Sequence, residues 1–213
     1  MLHLLLGPLS KQYLLFNLFN YLSFRTAGAV VTALLIAFVI GPGVIRRLRA
    51  RKVGQVIRAE GPASHQGKRG TPTMGGVIIL VATVVSTLLW ADFPSRFVVT
   101  ALGAILWMGG IGFLDDYLKI VQGKSRGLVA KWKLAGQCGF GLALALTLFF
   151  WPAVPPETIP ATGTTIPFFK YVVVVFAWPL YMVFVTGVVA GFSNAVNLTD
   201  GLDGLATGLT ANA

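Results

Sequence analysis

Asp115 and Asp116 stand side by side at the end of residues 97–114, a run that contains no Asp, Glu, Lys or Arg. A run of that length fits a membrane-spanning helix. A carboxylate at mid-bilayer costs roughly 2.5–3.5 kcal/mol on insertion scales. Two acids at the mouth of such a span therefore point to a task, and gripping a divalent cation is the natural one. Consecutive helical residues point about 100° apart. One carboxylate can then bind metal while the other faces a base or a substrate. Their mutual repulsion calls for a cation between them. Mg²⁺ meets that need, since it is held typically by one or two carboxylates plus substrate phosphates. The competing reading is a salt bridge to Lys119 or to cations of the neighbouring loops.

Two other segments carry polar chemistry. Residues 61–76, GPASHQGKRGTPTMGG, are rich in Gly, Pro, Ser and Thr and read as loop. There Lys68 and Arg69 lie beside Gly70, Thr71 and Thr73, a mixture of cations, hydroxyls and open backbone amides that suits an anionic oxygen ligand. His65 in the same loop reads as solvated. Residues 191–208 place Asn194, Asn197, Asp200 and Asp203 at intervals of three, a spacing that shares one face if helical. Gly201 and Gly204 let backbone approach a ligand. One of the four could serve only as a helix cap. The chain has seven acidic residues, and four of them are Asp115, Asp116, Asp200 and Asp203. Lys131 and Lys133 flank Trp132, either as an interfacial anchor or as cations reaching the same site.

The elements that must position these residues are apolar. The 213 residues are 55% hydrophobic and 11% charged, against about 25% charged in soluble domains. Charge-free runs at 26–45, 74–91, 97–114, 134–151 and 171–192 each approach the length needed to cross a bilayer. The expected fold is an all-α polytopic transmembrane bundle, a single integral-membrane domain with five spans. A sixth begins near Leu205, so the chain reads as a piece that is incomplete at its C-terminus. The formal net charge of +10 does not indicate nucleic acid, because of where it lies. Eight of the 17 Lys and Arg fall in 46–69 and five in 119–133. Basic loops stay cytoplasmic, and two loops separated by two spans share a side. The loops 46–73, 115–133 and 193–204 are then cytoplasmic and the N-terminus lies outside. Residues 12–24 are expected as a short interfacial helix. The proline-rich stretch 152–170 is expected to be irregular or a short hairpin. The one cysteine, Cys138, permits no internal disulfide.

The segments SHQGKRGTPTMGG (64–76), IGFLDDYLK (111–119) and NAVNLTDGLDGLATG (194–208) together resemble the polyprenyl-phosphate N-acetylhexosamine-1-phosphate transferases. The TPTMGG loop resembles the muramoyl-pentapeptide branch of that family. The resemblance implies a reaction in which UDP-MurNAc-pentapeptide donates phospho-MurNAc-pentapeptide to undecaprenyl phosphate. The products are lipid I and UMP, in the first membrane step of peptidoglycan synthesis. It implies Mg²⁺ and a site facing the cytoplasm in a bacterial inner membrane. Asp115 and Asp116 would be the catalytic acid pair. One would sit near the metal or pyrophosphate, while the other orients, deprotonates or replaces the lipid phosphate as nucleophile. Lys68, Thr73, Asn197, Asp200 and Asp203 would hold the nucleotide-sugar, with Lys131 as a weaker candidate. The family continues through further spans that carry a third aspartate and a His-rich motif, so residues 1–213 alone are expected to be inactive. Family members commonly form homodimers, though no interface is visible in these residues.

Other readings are a sister enzyme that uses UDP-GlcNAc, an ion-coupled transporter, and a non-catalytic scaffold. A transporter calls for charges near span middles, whereas these spans are clean. No GxxxxGK[ST] loop supports an ATP-driven pump.

Overall fold

A computed structural model describes residues 1–50, 74–122, 127–152, 159–166, 168–169, 172–199, 207–208 and 210. The chain divides into two compact units, Met1–Val129 and Ala130–Ala213. The first holds α1 (Leu2–Leu6), two 3₁₀ helices (Gly7–Lys11 and Leu14–Asn20), α2 (Leu22–Ala50), α3 (Gly76–Trp90) and α4 (Arg96–Gln122). The second holds α5 (Ala130–Phe150), strands β1 (Gly163–Thr165) and β2 (Val173–Val175), and α6 (Trp178–Thr199).

The described residues are mostly helical, and four helices are long and apolar enough to cross a membrane: α2, α4 (over Arg96–Val121), α5 and α6. The run at 74–91 forms a shorter helix. Met74 adopts a left-handed φ of 73° just before α3, and Ala91 turns extended after it. The 15 residues between them rise about 22 Å at 1.5 Å each, less than the roughly 30 Å hydrocarbon core. Residues 14–20 form a 3₁₀ helix rather than an α-helix, and Tyr21 is extended before α2 begins.

The run at 171–192 also divides. Val172 to Val175 are four consecutive β-branched residues, which favour a strand. Val173–Val175 pairs antiparallel with Gly163–Thr165 in the register Gly163↔Val175. Helix α6 starts only at Trp178, with Pro179 in its first turn, where a missing N–H costs nothing. The mostly helical fold agrees with the expected class. The hairpin places its first strand in the 152–170 stretch, where a short hairpin was one expectation, and its second in the run expected as a span.

Inside each unit the helices approach through small residues. Phe38 and Val39 of α2 are 74% and 77% exposed, and Gly41 is its one buried residue. A helix apolar on all sides belongs among lipid tails, and in lipid small residues let backbones come close. A Cβ on Gly28 would meet the Trp90 ring, and one on Gly109 would meet Leu80. The Trp90 indole N–H donates to Thr32 Oγ1 at 2.9 Å, and Phe19 stacks on the same ring at 5.7 Å. These contacts run α2 and α3 antiparallel. In the second unit a Cβ on Gly141 would lie 2.8 Å from Thr186 Cα. The core there is Ala145 of α5 with Tyr181 and Met182 of α6.

Candidate active site

The acid pair sits where helix geometry puts it. Asp115 lies 19 positions after Arg96, a rise of about 28 Å that nearly matches the hydrocarbon thickness. Arg96 and Asp115 thus mark the two boundaries of the apolar stretch of α4. Lys119 lies in the last turn, where a cation suits the helix dipole. Its Nζ is 2.7 Å from Asp115 Oδ2 and 3.0 Å from Asp116 Oδ1. The spacings i,i+4 and i,i+3 bring all three onto one face.

The two carboxylates have different surroundings. The Leu128 N–H donates to Asp115 Oδ1 at 2.8 Å, so both oxygens of Asp115 face protein donors. Asp116 has Lys119 as its one ionic and hydrogen-bonding partner among the described residues. The side chain of Asp115 is 18% exposed and that of Asp116 34%. The salt bridge that competed with metal binding is therefore formed. Partly exposed pairs contribute only about 0–1 kcal/mol, so stability is a weak reason to place two acids there.

The donor chemistry fits Mg²⁺. It is oxygen only, and the Lys119 ammonium already occupies the point on which the two carboxylates converge. No group of three or more His, Cys, Asp or Glu forms a metal cluster among the described residues. Mg²⁺ does not need one, since it keeps waters and recruits substrate phosphates.

In the second unit, Gln137 of α5 is 1% exposed. Its Nε2 donates to Ser193 Oγ at 2.9 Å, and its Oε1 accepts from Asn194 Nδ2 at 2.8 Å. Asn194 Nδ2 also donates to the Ala190 carbonyl. Asn194 is thus engaged in joining α5 to α6. Asn197, one turn on, is exposed. It lies 19 residues from Trp178, again a rise of about 28 Å. The pairings of Gln137 with Asn194 and Gly141 with Thr186 make α5 and α6 antiparallel. Lys131 and Asn197 accordingly share one end of this unit. Lys131 Nζ stands 5.9 Å from the Trp132 ring centroid, the contact expected of an interfacial anchor.

The structure gathers Asp115 and Asp116 with Lys119 in the first unit, and places Lys131 and Asn197 at a common end in the second. Lys68, Thr73, Asp200 and Asp203 lie outside the described residues. Sequence reasoning passed over Gln137, although a lone amide inside the charge-free run 134–151 is a signal of interhelical bonding. It also passed over Gly127 and Leu128, which act through backbone and leave no side-chain signature.

The profile of Glycosyl transferase family 4 matches residues 98–213. Residues 68–80 match the phospho-N-acetylmuramoyl-pentapeptide-transferase signature 1. Similar proteins include three named phospho-N-acetylmuramoyl-pentapeptide-transferase. The one from Gemmatimonas aurantiaca is 54% identical over 100% of this chain and 57% of the relative. That of Endomicrobium trichonymphae is 48% identical over 94% of this chain and 54% of the relative. That of Geobacter sp. strain M21 is 48% identical over 99% and 57%. The chain spans a little over half the length of these curated relatives.

Proposed function

This chain belongs to glycosyl transferase family 4, and we propose that it supplies the acid pair and nucleotide-facing loops of a phosphoglycosyl transferase. The donor is UDP-MurNAc-pentapeptide and the acceptor undecaprenyl phosphate. The products are lipid I and UMP, made at the cytoplasmic face of a bacterial inner membrane for peptidoglycan synthesis. The observation that carries this reading is the convergence of Asp115 and Asp116 on one cation at the end of a helix of spanning length. The signature match over 68–80 favours the muramoyl-pentapeptide donor over UDP-GlcNAc.

In the net reaction a P–O bond forms between a lipid phosphate oxygen and the sugar-bearing phosphorus of the donor. The P–O bond from that phosphorus to UMP breaks, and UMP leaves with the electron pair. Asp116, the more exposed acid, orients the lipid phosphate and takes its proton where one is present. Asp115, fixed by Lys119 and Leu128, keeps the end of α4 in place. Mg²⁺ held by the two carboxylates would neutralise charge on the diphosphate. Lys68, Thr73, Asn197, Asp200 and Asp203 would help hold the nucleotide-sugar and its phosphates, with Lys131 a weaker candidate for the same role.

The test uses membranes from cells expressing the gene that encodes this chain, supplied with undecaprenyl phosphate and a panel of UDP-sugars. Lipid-linked product and UMP are expected in equal amounts, with UDP-MurNAc-pentapeptide as the preferred donor. Asp116→Asn should lower turnover by about 10²–10⁴-fold while membrane insertion persists. Preference for UDP-GlcNAc, or a variant that keeps most of its rate, overturns the proposal.

A further inference from the structure

Gly127 and Leu128 lie against the acid pair, and the first of them makes this approach sterically possible. A Cβ added to Gly127 would lie 2.5 Å from Asp115 Oδ1, 2.6 Å from the Asp115 carbonyl oxygen and 2.8 Å from Lys119 Cε. Real Cβ atoms essentially never come so near, and the second of those atoms is backbone, which cannot swing aside. The next residue, Leu128, donates its N–H to Asp115 Oδ1 at 2.8 Å. Lys119 holds the other oxygen of the same carboxylate at 2.7 Å.

We propose that Gly127 is a positioning residue for the reaction assigned above. Its missing side chain lets the 127–128 backbone clamp Asp115, and the clamp assigns the two neighbouring acids different tasks. Asp115 becomes a fixed anchor, with one oxygen on a backbone amide and the other on an ammonium. Asp116 shares Lys119 through Oδ1 and presents Oδ2 to substrate or cation. Helical spacing points the two acids about 100° apart without saying which takes which role, and the backbone contact from 13 residues away decides it. The inference rests on the proposed transferase reading for its kinetic consequence, but not for the clamp itself.

Three variants test it. An asparagine Oδ1 still accepts the Leu128 N–H, whereas an alanine cannot. Hydrogen exchange at the Leu128 amide should therefore stay slow in Asp115→Asn and quicken about ten-fold in Asp115→Ala. Gly127→Ala should quicken the same amide, and should lower kcat about 10- to 100-fold with the donor KM within about two-fold, as misplacement of a reacting group does. Equal exchange in Asp115→Asn and Asp115→Ala overturns the clamp, as does a Gly127→Ala enzyme with full kcat. Should Gly127→Ala fail to fold, the contrast between the two Asp115 variants still decides. Should the unsubstituted enzyme prefer another donor, the muramoyl-pentapeptide reading falls while the exchange contrast stands.

Discussion

The carboxamide of Asn194 donates to the carboxamide of Gln137 across 2.8 Å, joining α6 to α5 at a point where Gln137 is almost wholly enclosed. With Ser193 as the second partner of Gln137, the contact fixes how far α6 is rotated and slid along α5. It therefore sets where Asn197, one turn further on, emerges.

Replacing Gln137 by Leu should destabilise the protein by about 1–2 kcal/mol, since Asn194 and Ser193 lose their partner. A double-mutant cycle between Gln137→Ala and Asn194→Ala should return a coupling of about 0.6–1.7 kcal/mol, the range for interhelical hydrogen bonds in membranes. Unfolding in detergent reads both. Asn194→Ala should leave the donor KM nearly unchanged, whereas Asn197→Ala should raise it. The reverse pattern would make Asn194 the ligand.

Two glycines of α5 should respond in opposite directions. A Cβ at Gly141 would press on the Thr186 backbone, while one at Gly139 meets nothing within 4 Å. Gly141→Ala should cost about 1–3 kcal/mol through forced separation of the helices. Gly139→Ala should instead add about 0.5–1 kcal/mol from the lower backbone entropy of an alanine helix. Melting temperatures of the two variants in the same detergent provide the check. Equal shifts would mean that α5 does not meet α6 through Gly141.

The Lys119 ammonium lies within ion-pair distance of both carboxylates. Removing its charge in Lys119→Met leaves two carboxylates without compensation, and the sign follows from Coulomb's law: a metal cation should be held more tightly. Mn²⁺ titration followed by electron paramagnetic resonance should show affinity rising several-fold. Unchanged or weaker binding would separate the Lys119 position from the metal position. Asp116→Asn, with one carboxylate neutralised, should bind Mn²⁺ less tightly than the unsubstituted protein.

Much of this protein is legible in one dimension, for a physical reason. Lipid-facing helices must be apolar along their whole length, so charge-free runs announce α2, α4, α5 and α6 without any knowledge of packing. The acid pair is equally visible, because a charge at the end of such a run has few structural excuses. The Lys119 bridge follows from helical spacing alone. Local propensity was also written in the chain where hydropathy misled. The valines at 172–175 and the proline at 179 mark a strand and a helix start within what hydropathy counts as one span.

What the tertiary structure alone decided involves partners distant in sequence. Asp115 differs from Asp116 because a backbone amide 13 residues away reaches it. Asn194 is set apart from Asn197 because Gln137, 57 residues earlier, takes up its amide. Sequence records which groups each residue carries. It does not record which of two neighbouring like groups a remote donor will meet, since that depends on how the chain closes back on itself.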